Sequence, residues 1–88
     1  MRQPPEHFGE QDLELVFVAR KLDEALGVED LLTQTEIDYL VETDTYKGGV
    51  IFPSERVGAF FYVLPETAES VRTLLSQAGY RPFRTDNP

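Results

Sequence analysis

The fold of this chain is decided at residues 58–79, which read GAFFYVLPETAESVRTLLSQAG. The first seven residues are apolar on both alternating faces, which predicts a strand inside a sheet. Pro65 suits the first turn of a helix, and apolar residues then recur at helical spacing as far as Gly79, a common helix terminator. A buried strand followed directly by an amphipathic helix predicts one half of a layered α+β domain.

The same strand–helix pairing occurs earlier in the chain. Residues 13–19 predict a central strand, residues 22–33 predict a helix, and residues 37–42 alternate like a half-exposed strand near an edge. Residues 80–84 predict a last short strand, which Pro82 confines to an edge or a strand end. The order β-α-β-β-α-β predicts a ferredoxin-like α+β fold, a four-stranded antiparallel sheet with two helices on one face.

Both predicted helices have a polar side. In the second helix, the residues predicted to face solvent are Glu69, Arg72, Thr73 and Gln77. In the first helix, the neighbouring pairs Asp23–Glu24 and Glu29–Asp30 predict a solvated face, since adjacent helical positions do not point at a common site. Gly27 lies in mid-helix, where either a close approach to the sheet or plain tolerance would explain it.

Length and composition limit the domain organisation. The 88 residues predict a single domain at 13–84, with a polar N-terminal tail at 1–12 and a short C-terminal tail at 85–88. The absence of cysteine excludes disulfides, thiolate nucleophiles and cysteine zinc sites. No apolar run reaches the roughly 18–20 residues that a bilayer needs, and the polar N-terminus is unlike a signal peptide, which together predict a cytoplasmic protein without membrane contact.

Charge and chemistry predict a protein that is not an enzyme. The formal net charge of −8 disfavours nucleic acid as a partner. The single histidine, His7, lies in the predicted tail, where it is a poor candidate for a catalytic triad. We therefore predict no catalytic residue, no metal site and no cofactor.

A long connection follows the second predicted strand. Residues 43–56 separate two strands, whereas hairpin loops of about 2–5 residues are usual. Partner contact is predicted for three of its side chains, Tyr46, Ile51 and Phe52.

Basic residues are predicted to gather at one edge of the sheet, where the end of the first strand meets the long connection and the start of the fourth strand. They are Arg20, Lys21, Lys47, Arg56 and Arg81, five of the eight lysines and arginines. The N-terminus of the first helix adds partial positive charge, and Gly48 and Gly49 let backbone N–H groups approach a ligand closely. This edge suits an anion such as phosphate or carboxylate; the alternative is ordinary pairing with local acids such as Asp44 and Glu55.

The sheet face opposite the helices is predicted to be apolar, because the first and third strands carry apolar residues on both sides. Contiguous exposed apolar patches above a few hundred Å² are rare on soluble monomers. We predict that this face is covered in a homo-oligomer. The alternatives are a protein partner or the N-terminal tail, with Phe8, folding across it.

Two segments carry a resemblance to a known family. They read LVFVARKLDEALGVEDLLTQTEIDYLVETDTY and FFYVLPETAESVRTLLSQAG. They resemble a small prokaryotic family of proposed signal-transducing proteins of unknown function, which are similar in fold to the PII nitrogen regulators. The resemblance implies a regulatory or sensing module. PII regulators are trimers that bind nucleotide and 2-oxoglutarate, and they present the loop that corresponds to residues 43–56 to their targets.

Together these observations predict a non-catalytic regulatory or protein-interaction domain that acts as a homo-oligomer. The alternative is a sensor that binds a small anionic metabolite or nucleotide at the basic edge. An enzyme is the third possibility, and it lacks the residues that the chemistry would need.

Overall fold

The computed structural model describes residues 1–48 and 54–84, with side chains outside 44–57. Its elements, in chain order, are α1 (Pro5–Phe8), β1 (Glu14–Ala19), α2 (Leu22–Gln34), β2 (Leu40–Gly48), β3 (Ser54–Val63) and α3 (Pro65–Gln77). The predicted α+β class is confirmed. None of the helices in the described ranges is long and apolar enough to cross a bilayer.

The three strands form one antiparallel sheet in the order β1-β3-β2. β3 pairs with β1 only as far as Ala59, which lies opposite Ala19, whereas its pairing with β2 continues outward to Ser54 and Gly48. Residues 44–48 and 54–58 therefore form a two-stranded ribbon that extends past the end of β1. The prediction of a long loop at 43–56 is wrong, because most of that stretch is strand despite its polar composition.

The predicted strand at residues 80–84 is not formed in the described chain. One backbone hydrogen bond, 2.7 Å from the Phe83 N–H to the Val16 carbonyl oxygen, joins this stretch to the outer edge of β1. Proline fixes φ near −65°, away from the roughly −140° of an antiparallel strand, so Pro82 disfavours regular strand geometry here. The described sheet accordingly has three strands, and residues 79–84 are called the C-terminal segment below.

A single apolar core joins both long helices to one face of the sheet. Its buried members come from α2, α3 and all three strands, with Tyr39 just before β2: Val16, Phe17, Ala19, Ala25, Val28, Leu32, Tyr39, Val41, Phe61, Val63, Ala68, Val71 and Leu75. Two leucines of α2, Leu22 and Leu26, lie outside this core and are mostly exposed. Conversely, Arg72 of α3, predicted to face solvent, is only 5% exposed.

A β-bulge in β1 decides which residues face the core. The register shifts between Leu15, which pairs with Tyr62, and Phe17, which pairs with Phe61. Val16 and Phe17 are both buried in the core as a result.

The N-terminal segment, residues 1–8, is structured and is tied to the sheet by hydrogen bonds. The Gln3 N–H donates to the Tyr39 carbonyl oxygen at 2.8 Å, and the Tyr39 N–H donates to that of Met1 at 3.0 Å. The carboxylate of Asp38 accepts hydrogen bonds from the Gln3 amide at 3.2 Å and lies 3.1 Å from Nε2 of His7. Asp38 alternates with the core residue Tyr39, so α1 lies on the sheet face opposite the long helices.

Candidate anion-binding groove

A groove of about 440 Å³ opens between the end of β1 and the start of the C-terminal segment. We call it the basic groove, and its lining residues are Phe17, Val18, Arg20, Lys21, Glu24, Gly79, Tyr80 and Arg81. It brings together three of the five basic residues that the sequence places at this edge. They come from two stretches far apart in the chain, the β1–α2 junction and the residues after α3.

The three cations of the groove are exposed and without ion pairs to the described residues. Arg20, Lys21 and Arg81 are all solvent-exposed, and no acidic oxygen of residues 1–43 and 58–84 forms a salt bridge with any of them. Glu24 lines the groove as its one carboxylate. The lining therefore presents more positive than negative charge, in a chain of formal net charge −8.

The N-terminus of α2 contributes less to the groove than the sequence suggests. The carboxylate of Glu24 accepts the Arg20 N–H at 3.1 Å, and the Asp23 carboxylate accepts the Glu24 N–H at 2.9 Å. Two acids of the first turn thus neutralise the partial positive charge of this helix end. A bound anion would have to be held by the side chains of Arg20, Lys21 and Arg81.

The other predicted ligand residues lie in or beyond the β2–β3 ribbon. Lys47 pairs with Glu55 in the backbone register, and Gly48 pairs with Ser54. At about 3.3 Å per residue, Arg56 is roughly 10 Å along the ribbon from Ala59, where β1 ends. The ribbon thus separates Lys47 and Arg56 from the basic groove along the backbone. Gly49 lies outside the described residues.

The residues predicted to contact a partner also lie in or beyond the β2–β3 ribbon. Tyr46 pairs with Arg56 in the ribbon. Ile51 and Phe52 lie outside the described residues, so their prediction stays untested.

Tyr80 forms one wall of the basic groove and is held by packing. Its ring meets the Phe17 ring edge-on, with the centroids 5.6 Å apart. A Cβ on Gly27 would clash with the Tyr80 hydroxyl and would lie 3.6 Å from Cζ of the same ring. Gly27 therefore marks a close approach of α2 to Tyr80, whereas the prediction named the sheet as the neighbour.

Arg72 positions the far end of the C-terminal segment. Its Nε donates to the Phe83 carbonyl oxygen at 2.9 Å, and its Nη2 donates to that of Leu15 at 3.2 Å. Its Nη1 donates to Glu69 at 2.8 Å. The hydrogen bond from Arg72 is the main cause that lowers the pKa of the Glu69 carboxyl, with Arg84 as the second.

Arg72 is predicted from the sequence to face solvent, yet its spacing along α3 holds a signal for this role. Arg72 follows the buried Ala68 by four residues and precedes the buried Leu75 by three. These are the separations that place residues on one helix face. An arginine within an apolar stripe is thus a candidate for a buried guanidinium that bonds to backbone carbonyls.

The chemistry of the groove suits binding. It offers three cationic groups, one carboxylate and one phenol, beside the apolar surface of Phe17 and Val18. His7 lies outside the groove, in the N-terminal segment, where it contacts Asp38. Within the described ranges, no three His, Asp or Glu side chains come together as metal ligands.

No family model matches the chain, and no match was found among curated proteins or among solved structures. The resemblance to the signal-transducing family therefore stays a prediction.

Proposed function

We propose that this protein is a non-catalytic regulatory domain that binds an anionic ligand in the basic groove. One observation carries the proposal: Arg20, Lys21 and Arg81 converge on one groove without ion pairs to the described residues. Cations that line one groove repel one another, and a bound carboxylate or phosphate would relieve that repulsion. Guanidinium groups also match the bidentate geometry of both anions.

We further propose that the domain is a ferredoxin-like fold with an incomplete fourth strand. The order β1-β3-β2 leaves the outer edge of β1 as the place for that strand. The Phe83–Val16 hydrogen bond lies at this edge, which supports the proposal. The resemblance noted above favours a sensing role.

A second candidate function is self-association through the sheet face opposite the helices. Leu15, Val18, Phe60 and Tyr62 share that face by strand alternation and are only half-buried. The N-terminal segment covers the β2 side of the face, where Leu40 is buried. Native mass spectrometry tests this candidate: a dimer or trimer supports it, and a monomer across the micromolar range contradicts it.

A thermal-shift panel tests the anion site. Phosphate, citrate, 2-oxoacids and nucleotides are added to the wild type and to the Arg20→Gln and Arg81→Gln variants. A ligand at 100 times its dissociation constant stabilises the fold by about 2.7 kcal/mol, so the wild type should show a clear increase in Tm that each variant reduces.

The control variant is Arg2→Gln, which removes an equal charge from an exposed arginine near Glu29 of α2, outside the groove lining. It should respond to anions like the wild type. Equal losses in all three variants would indicate general screening, and the absence of any anion-dependent shift would overturn the proposal.

A further inference from the structure

The basic groove lies where a regular fourth strand would pair with β1. From the Phe83–Val16 hydrogen bond, an antiparallel partner would bring Arg81 level with Val18 and Gly79 level with Arg20. These four residues instead line the opposite sides of the groove. The C-terminal segment thus meets β1 at Val16 and leaves a gap at Val18.

The gap exposes a pairing edge of the β1 backbone. The Val16 carbonyl points outward, since it accepts the Phe83 N–H. The pairing of residues 17–19 with β3 is regular, so Phe17 directs its backbone groups to β3 and Val18 directs its N–H and C=O into the gap. No backbone group of residues 1–48 and 54–84, and no side chain of residues 1–43 and 58–84, is hydrogen-bonded to Val18 at this edge.

We propose that the ligand of the basic groove is an acidic peptide, which pairs in extended form with β1 at Val18 and takes the position of the fourth strand. This inference rests on the proposed anion-binding function and names its ligand class. Strand addition to an open sheet edge supplies affinity through backbone hydrogen bonds, and the side chains supply selectivity. Carboxylates of the peptide would contact Arg20, Lys21 and Arg81.

The hydrogen-bonding groups of the gap favour a peptide over a simple anion. Val18 presents both a donor and an acceptor, and leaving either one unpaired after burial is costly. A carboxylate or a dianionic phosphate ester offers only acceptors, so it satisfies the N–H and leaves the carbonyl without a donor. A peptide backbone offers both groups at the spacing of a strand. Residues 18–21 span roughly 10–13 Å, which three or four peptide residues match.

The probe is a fluorescein-labelled peptide, Glu-Val-Glu-Val-Glu, amidated at its C-terminus, whose binding is followed by fluorescence anisotropy. Two analogues carry a single N-methyl group, one on the central Glu and one on the Val that follows it. Neighbouring N–H groups of a strand point to opposite edges, so one methyl group should block pairing with β1 and the other should not. We expect one analogue to lose at least tenfold in affinity relative to the other. The all-glutamine analogue of the peptide should lose at least tenfold as well.

The protein variants separate this inference from the proposed function. Arg20→Gln and Arg81→Gln should weaken binding of the parent peptide at least severalfold, and Arg2→Gln should leave it unchanged. Equal binding of both methylated analogues would overturn strand addition and leave a purely electrostatic site. A thermal shift with citrate or phosphate, combined with no peptide binding, would overturn the peptide and retain the anion site. No response to any of these probes would overturn both.

Discussion

The N-terminal and C-terminal segments meet the sheet at opposite ends of the strand order and are held there by different physical means. The N-terminal segment pairs with Tyr39, next to β2. Its charged contact at this end joins His7, which is 42% exposed, to Asp38, which is 43% exposed. The C-terminal segment lies against β1 and is held by Arg72, which is 5% exposed. Both contacts involve charged groups, but only the second is removed from water.

This difference in burial predicts a difference in strength. Exposed ion pairs contribute about 0–1 kcal/mol to stability, because water and salt screen them. A buried guanidinium that donates to backbone carbonyls contributes more, since its loss leaves those carbonyls without their partner. The N-terminal segment therefore depends mainly on the burial of Phe8 and on its backbone hydrogen bonds with Tyr39, whereas the C-terminal segment depends on Arg72.

The largest expected effect comes from Arg72→Met, which removes the hydrogen bonds to Phe83 and Leu15 while keeping an apolar side chain. We expect the free energy of unfolding to fall by about 3 kcal/mol, as measured by urea denaturation. Arg84→Met is the matched control, because Arg84 bonds to the same Glu69 but is exposed. Equal stability of the two variants would contradict the greater contribution assigned to the buried arginine.

Phe8→Ala tests the other segment. Phe8 is 4% exposed, whereas Phe83, the phenylalanine of the C-terminal segment, is 39% exposed. We expect Phe8→Ala to lower the free energy of unfolding by about 2 kcal/mol, less than the 3–5 typical of a core phenylalanine, because the segment detaches locally instead. Phe83→Ala should lower the free energy of unfolding by less than Phe8→Ala does. A larger loss for Phe83→Ala in the same denaturation experiment would reverse the assignment of the two anchors.

Gly27→Ala perturbs the start of the C-terminal segment through Tyr80. Alanine raises helix propensity by about 1 kcal/mol, but its Cβ must displace the Tyr80 hydroxyl. We expect no gain in stability from Gly27→Ala alone and a gain approaching 1 kcal/mol when the Tyr80→Phe background removes that hydroxyl. A double-mutant cycle measures this coupling. An equal effect of Gly27→Ala in both backgrounds would contradict the close approach.

The smallest effect concerns pH. The hydrogen bond from Gln3 is the main cause that lowers the pKa of Asp38 below its ordinary value of 3.8; desolvation opposes it, and His7 adds to it. Since the folded pKa lies below the unfolded one, this stabilisation is present above pH 3.8 and is lost as the pH falls through the folded value.

Asp38→Asn is the control, because asparagine does not titrate in this range. Hydrogen exchange of the Gln3 backbone N–H, which donates to the Tyr39 carbonyl oxygen, is measured and corrected for its intrinsic rate. Its protection should decrease on acidification in the wild type. The variant should lack this component. An identical pH profile for the two proteins would show that the Asp38 charge does not hold the segment.

The two strand–helix units, β1 with α2 and β3 with α3, are predictable from sequence because the periodicity of their apolar residues indicates which positions are buried. β1, α2, β3 and α3 occur where residues 13–33 and 58–79 indicate them, within a few positions. The ribbon is not predictable in this way. Residues 44–48 and 54–58 are mostly polar, and a two-stranded ribbon is specified by pairing rather than by apolar alternation.

The basic groove is predictable in part for a similar reason. Topology alone brings the end of β1 and the residues after α3 to one edge, which unites Arg20 and Lys21 with Arg81. The separation of Lys47 and Arg56 follows from the length of the ribbon, which the sequence pattern does not give. The gap at Val18 depends on where the Phe83 hydrogen bond forms, a tertiary contact that involves Arg72 and has no local signature.

We expect the strand order to set the sequence in which the sheet forms. β2 and β3 are neighbours in the chain and pair as a hairpin, a local event on the microsecond scale. α2 and β2 lie between β1 and β3 in the chain, so the docking of β1 on β3 must close a long loop and is expected to be slow. The basic groove is built on β1 and on residues beyond α3, so it forms only once this late step is complete. Ligand capture by the groove would therefore act as a kinetic report of finished folding, silent for every intermediate that holds only the hairpin.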